Sequence, residues 1–410
     1  MPSVASSPAV RSRRLESFHF SRAFELLLTC CSVNREGSYP RELAEHVDGG
    51  VDWSQVLRLA EHHGVVPLLY QSVRDLPGNV PPAILEDLRG RYESNARRNL
   101  KFTAELFRIM DALDTHRIAA IPHKGPVLAE SVYGDLALRS FSDLDILVCP
   151  SDVQRAKAVV EELGYAPNLS LTGAEERLYL ATGYEYSFDG PAGPNLLEIQ
   201  WGIVPRFYAI DFDCGQLFAR AVSANAGGRT VRALRPEDLL LTLCVHAAKH
   251  AWIRLCWLRD IAGLVELQVV DWSMIEQRVA ALGIRRIVQV SLLLAHRLLG
   301  AHVPHPIREN SQHDLAVERL CNQVTQHLAA AEECSPESLA YFRLMFRVRE
   351  RVDDKLRFAF RLAFTPGLGE FQLVRLPESL FFLYRIIRLG RLLARVFRPS
   401  RARRETSGIL

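Results

Sequence analysis

The 410-residue chain has no apolar run long and uninterrupted enough to span a bilayer as a helix. Its eight cysteines include no C-x-x-C pair; Cys30 and Cys31 are adjacent and the others are scattered. That excludes a disulfide or zinc framework and reads as reduced, mostly buried thiols. The first residues, MPSVASSPAVRSRRLES, lack the apolar stretch of an export signal and read as a disordered leader. A cytoplasmic location follows as an expectation. A large excess of either charge is also missing: the formal charge of +3 is too small to argue for nucleic acid, and no sequence-specific nucleic-acid partner is expected. One local absence runs the other way. Between Arg385 and Arg404 there are eight arginines and no acid.

What is present is a soluble-type composition, 48% hydrophobic with mean hydropathy +0.01, long enough for two or three domains. FSRAFELLLTCCSV has helical apolar spacing. In VDWSQVLRLAEHHGVVPLL, Asp52 is an N-cap, Val56, Leu57 and Ala60 form a face, and Gly64 ends the helix. Asp271, Trp272 and Gly283 repeat those offsets, either as a reused helical unit or as a coincidence between amphipathic helices. After the break LPGNVPP, apolar residues from Leu85 through Leu88, Tyr92, Ala96 and Leu100 to Leu113 predict one helix to about His116. The period then changes. RIAAIPHKG reads as a strand ending in a Lys-Gly turn, PVLAESVYG as a short helix, SDLDILV as a strand, and SDVQRAKAVVEELGY as a helix capped by Ser151. Two strands around a Gly/Pro turn follow in GYEYSFDGPAGPNLLEIQW. From RPEDLLLTL onward the pattern is helical, with a loop at TPGLGEFQLVRLP. The expected fold class is α+β: a leader (1–20), an N-terminal helical region (21–118), a small mixed-sheet α/β core (119–205), a C-terminal helical domain (206–398) and a basic disordered tail (399–410).

The chemistry centres on RSFSDLDILVCP. Asp143 and Asp145 lie two apart on a strand, so they share a face, and like charges this close need a cation. Glu198, between Leu197 and Ile199 in NLLEIQW, sits mid-strand in a similar setting. If its strand lies beside that of Asp145, three carboxylates converge. Such a cluster suits Mg²⁺ or Mn²⁺, hard cations that take oxygen ligands and support phosphoryl transfer. Glu185 competes for the third place, but its neighbours Tyr184 and Tyr186 suit an edge strand. Lys124 and Gly125 form a turn into a helix N-terminus, where phosphate is favoured. Arg139 and Ser142 lie just before the acids. Together these residues describe a nucleotidyltransferase site.

HKGPVLAESVYGDLALRSFSDLDILV resembles the core of the polymerase-beta-like nucleotidyltransferase superfamily. It is more closely similar to an uncharacterised nucleotidyltransferase family found in bacterial polysaccharide and peptide-modification gene clusters. Lys124, Gly125, Tyr133, Arg139, Ser142, Asp143 and Asp145 match that pattern, as do LAEHHGVVPLL, EIQW, HAAKHAW…WLRDIAGL and the closing TP…LP…LYRIIRLGRL. The likeness spans roughly residues 20–395 and implies Mg²⁺-dependent transfer of a nucleoside monophosphate from an NTP to an unidentified acceptor. Asp143, Asp145 and Glu198 would act as metal ligands and catalytic acids, and Lys124, Gly125, Arg139 and Ser142 would bind nucleotide. The sequence departs from the superfamily in having Lys-Gly for Gly-Ser, Glu198 for the commoner Asp, and Gln200 where relatives often have His. A protein on the same fold that binds nucleotide without turnover, or a membrane-peripheral assembly factor, is the rival reading.

In HAAKHAWIRLCWLRD, His246, His250, Trp257 and Asp260 are expected on one helical face. The spacing is not H-E-x-x-H and no third ligand is identifiable, so zinc is not expected. A buried polar seam and a cleft-lining face both remain open. In the last helix, Leu380, Phe381, Leu383, Tyr384, Ile387 and Leu392 form an apolar surface with arginines opposite. Packing on the helical domain is one expected use of that surface, and peripheral contact with anionic lipid the other.

Overall fold

The computed structural model describes residues 18–397 apart from 38, 77–79, 191–192, 268, 333 and 335–337. Nearly all of the expected leader, and the whole tail, lie outside the described residues. Helices α1 (Arg22–Cys30), α2 (Tyr39–Asp48), α3 (Trp53–His63) and α4 (Val66–Val73) lead into the 34-residue α5 (Pro82–Thr115). The α/β part follows: β1 (Ala120–Pro122), α6 (Gly125–Leu128) running on into a π-turn (Ala129–Tyr133), a 3₁₀ turn (Leu136–Leu138), β2 (Leu144–Val148) and α7 (Val153–Glu162). It closes with β3 (Ala166–Pro167), α8 (Gly173–Thr182), β4 (Glu185–Gly190) and β5 (Gly193–Gln200). Next come α9 (Cys214–Ala219), the hairpin β6 (Val222–Ala226) and β7 (Arg229–Ala233), α10 (Pro236–Lys249), α11 (Leu255–Leu267), α12 (Trp272–Leu282) and α13 (Arg285–Leu299). The chain continues through α14 (His305–His313), α15 (Leu315–Ala330), α16 (Leu339–Arg347), α17 (Val352–Phe364), α18 (Leu368–Leu373) and α19 (Leu383–Phe397). The architecture is α+β, as the period changes predict.

The five strands order as β1-β2-β5-β4-β3. β2 and β5 run parallel at the centre, with Asp145 opposite Glu198; β1 and β4 flank them antiparallel. β3 touches β4 only at Phe188 and Asp189, so the Glu185 end of β4 is an edge, as its tyrosine neighbours suggest. One apolar cluster joins the faces of the sheet to α7 and the C-terminal half of α5 through Leu106, Ile109 and Leu113. A larger cluster fills the helical part and reaches the sheet through Ile121 and Leu147. Burying this much apolar surface is what holds the two parts together.

Some expectations change. The segment after the core is not purely helical: β6 and β7 turn at Gly227 and Gly228, both at positive φ, and the hairpin packs on β1. α7 begins after a 3₁₀ turn opened by Pro150, so Ser151 is not its cap. Leu100, placed on the buried stripe of α5, is exposed; Asn95 and Asn99 occupy the buried face instead. The DW…G echo is real at the local level. Asp52 accepts from the backbone N–H groups of Ser54 and Gln55, and Asp271 from those of Ser273 and Met274; Gly64 and Gly283 end their helices at φ 68° and 65°.

Candidate active site

The acids are positioned by the centre of the sheet. Asp145 is buried in β2, and Asp143 lies just before that strand. The parallel register sets Glu198 of β5 beside Asp145. Lys124, at the end of the β1 turn, brings Nζ to 2.9 Å from Asp145 Oδ1. Gln200, two residues along β5, donates through Nε2 to both Asp145 Oδ1 and Glu198 Oε2 at 2.8 Å. Gly125 takes φ 55°, a left-handed conformation that a side chain resists, and so turns the backbone from β1 into α6 beside Asp143. Ser142 is exposed in the bend before β2.

Burial, aided by Glu185 and Asp145, pushes Glu198 up to about 9. Burial and Asp145 likewise push Asp143 up to about 6. Burial would also raise Asp145, but Lys124 and His123 prevail and hold it below the usual carboxylate range. Burial disfavours the Lys124 ammonium, yet Asp145 and Glu198 raise its pKa overall. The cluster carries more negative charge than its buried setting tolerates. Its donors are all oxygens, which fits a hard divalent cation. Among the described residues no three His, Cys, Asp or Glu side chains stand close enough together to enclose an ion as they are. Lys124 supplies the positive charge on Asp145 in their place.

Arg139, read as a phosphate ligand, is held by a carboxylate in this structure. Its guanidinium forks onto Asp260 of α11, with Nε and Nη2 each 3.0 Å from a carboxylate oxygen, and Tyr133 donates its hydroxyl to the same carboxylate at 2.7 Å. Arg259 lies over the Tyr133 ring, 4.8 Å from its centroid. A side chain at Gly263 would collide with Val132, so that glycine lets α11 approach the π-turn. Tyr133, Arg139 and the RDIAG segment therefore form one buried lock between the α/β core and the helical part. Asn95 and Asn99 brace the same loop by donating to the carbonyls of Leu136, Ala137 and Arg139.

The HAAKHAW segment is not one helical face. α10 ends at Lys249, Ala251 and Trp252 both take φ 53°, and Trp257 and Asp260 belong to α11. Trp252 is fully buried and donates Nε1 to Ser291, which fixes the break. His246, His250 and Trp257 still pack ring against ring, with centroids 4.8–5.5 Å apart. Burial, reinforced by the cations nearby, lowers both histidines, His250 to about 3. Between them in sequence is a residue the motif reading passes over. Lys249 donates to Tyr184 Oη at 2.7 Å, its ammonium 4.8 Å from the centre of that ring. Burial, with Lys124 adding to it, lowers its pKa against the pull of Glu185, Glu198 and Asp145. Its place at the helix end, between His246 and His250, was the available signal.

A small mixed sheet carrying acids on its two central parallel strands, with a Lys-Gly turn beside them, defines a nucleotidyltransferase-type core. The chain belongs to the uncharacterised nucleotidyltransferase family, whose sequence pattern it matches over residues 49–300, more than half its length. That match is narrower than the 20–395 span of the motif likeness. No curated protein matches the chain, and no solved structure does. Among the described residues no helix is long and apolar enough to cross a membrane.

Proposed function

We propose that the protein transfers a nucleoside monophosphate from an NTP to an acceptor hydroxyl. The acceptor oxygen bonds to the α-phosphorus, the bond to the bridging oxygen breaks, and pyrophosphate leaves. The observation that carries this reading is the register that sets Asp145 beside Glu198, with Asp143 two residues before and Lys124 on the Asp145 carboxylate. Asp143, Asp145 and Glu198 would hold Mg²⁺ or Mn²⁺, which when bound would activate the acceptor oxygen and stabilise charge on the departing phosphate. Lys124 and the Gly125 backbone meet the triphosphate as Lys124 exchanges Asp145 for phosphate. Arg139 is held by Asp260, so it positions the loop before β2, and Lys249 takes the phosphate role read for Arg139. Ser142 stands exposed at the mouth, and the His246–His250–Trp257 stack walls the side next to Lys249. Glu198, pushed toward its protonated form in the bare cluster, is the acid placed to receive the acceptor's proton once positive charge restores its carboxylate.

Binding without turnover is the rival, favoured by the Lys124–Asp145 pair and by the absence, among the described residues, of a ready-made metal cage. Incubating the protein with each α-labelled NTP, Mg²⁺ and a lysate separates the two. Transfer predicts a labelled acceptor and stoichiometric pyrophosphate, both lost in Asp145→Asn. NTP retained on the protein with no pyrophosphate would sink the transfer reading.

A further inference from the structure

Among the described residues, most of the large apolar side chains left exposed lie between Val352 and Leu393, outside the family match. They are ordered. Val352, Leu356 and Phe360 recur at every fourth position of α17, with Phe364 next in line, and so form one stripe. Their exposures are 67%, 63% and 65%, so nothing in the described chain covers them. On α19, which packs beside α17, Ile386 and Leu393 are seven apart and therefore share a face; they are 60% and 57% exposed.

The polarity of α19 is the reverse of a simple solvent-facing helix. Arg388 and Arg391 turn inward and pair with the buried Glu370, while Tyr384 packs on Phe371 in the cluster that holds the sheet. So α19 docks through an ion-paired and aromatic seam and presents aliphatic side chains outward. This corrects the expectation that its arginines lie opposite the packed surface, while α19 does pack on the helical domain, through α17 and α18. Exposed cations flank the two stripes: Arg351, Arg357, Arg375 and Arg385, against the exposed acids Asp353 and Glu378, the latter paired with Arg177. The sequence then continues through Arg398, Arg401, Arg403 and Arg404 with no acid before Glu405.

We propose that this α17–α19 face docks on an anionic lipid surface. Aliphatic and phenyl groups enter the headgroup boundary, and the arginines meet lipid phosphates. An apolar face whose rim is predominantly cationic suits a surface of the opposite sign. A second copy fits less well, because a symmetric pairing would bring the arginine sets together. The inference stands apart from the transfer reading, since it uses none of the active-site residues.

The test is co-sedimentation of the full chain with vesicles of phosphatidylglycerol in phosphatidylcholine, against phosphatidylcholine alone. Binding should be at least about tenfold tighter to the anionic vesicles and should weaken with salt. Phe360→Ser with Ile386→Ser should lose at least about tenfold while the thermal midpoint, read by circular dichroism, stays put. Equal binding to both vesicle types, or none to either, overturns the proposal; the wild-type comparison decides this even if the double variant misfolds. Undiminished binding by the folded double variant overturns it too. A dimer in light scattering that the double variant splits, with no vesicle binding, assigns the face to a second copy and overturns it as well.

Discussion

Asp145 has a different partner on each side, and that makes its neighbours separable by single substitutions. Asp145→Asn should remove transfer by two or more orders of magnitude while leaving the fold intact, because charge at the reacting phosphate is lost while the residue's size and hydrogen bonds are nearly kept. Glu198→Gln should cost a similar factor, and Glu185→Gln little, since Glu185 stands at the sheet edge across from Gln200. Pyrophosphate release across a Mg²⁺ titration measures all three; a dead Glu185 variant beside a working Glu198 variant would reassign the third acid. Lys249→Met should raise KM for NTP roughly tenfold, as losing a charge-assisted phosphate contact does, with a smaller change in kcat. A variant with unchanged KM would return Lys249 to a structural role on Tyr184.

At the scale of elements, the lock between α11 and the loop before β2 carries the largest local stake. Asp260 is buried and satisfies both Arg139 and Tyr133. Asp260→Ala strands a buried guanidinium and should lower unfolding stability by about 3–5 kcal/mol in urea melts. A loss below about 1 kcal/mol would show that Arg139 finds solvent or another partner. The paired helix ends offer a finer comparison. Gly64→Ala and Gly283→Ala both force a side chain into left-handed backbone, costing about 1–2 kcal/mol. At Gly283 the new Cβ would also meet the Asp354 carboxylate at 2.5 Å, whereas at Gly64 the nearest atom is the Cys256 sulfur at 3.2 Å. Gly283→Ala should therefore be the more damaging; the reverse order in chemical melts would contradict the contact.

For the whole molecule, buried neutral histidines set the acid limit. Burial, with His62 and Arg254 nearby, holds His63 down at about 3, against an ordinary value near 6.5, and His250 is held similarly low. As pH falls from about 6.5 toward 3, the unfolded chain takes up protons that the folded chain refuses, so stability is lost through that window and is fully present above it. His63→Phe, which keeps an aromatic ring against Phe24, should flatten the decline between pH 7 and pH 5 by up to about 1–2 kcal/mol. If the variant and the wild type lose stability in parallel, His63 is protonated in the fold and the burial argument fails.

The sequence by itself determined what depends on neighbours along the chain. The caps at Asp52 and Asp271, the stops at Gly64 and Gly283, the Lys-Gly turn and the D-L-D strand follow from propensity and period. Apolar flanks were also enough to place Glu198 on a central strand and Glu185 at an edge, because a strand buried on both sides reads differently from an edge. Tertiary structure decided what depends on pairing across the chain. Arg139 reads as an unpaired cation beside the acids until Asp260, 121 residues later, is seen to hold it. HAAKHAW reads as one helix until burial of Trp252 breaks it. The arginines of α19 read as its solvent face until Glu370 turns two of them inward. A buried charge goes to whichever partner compensates its lost hydration, and that partner is chosen by the packing of distant segments, which periodicity does not encode.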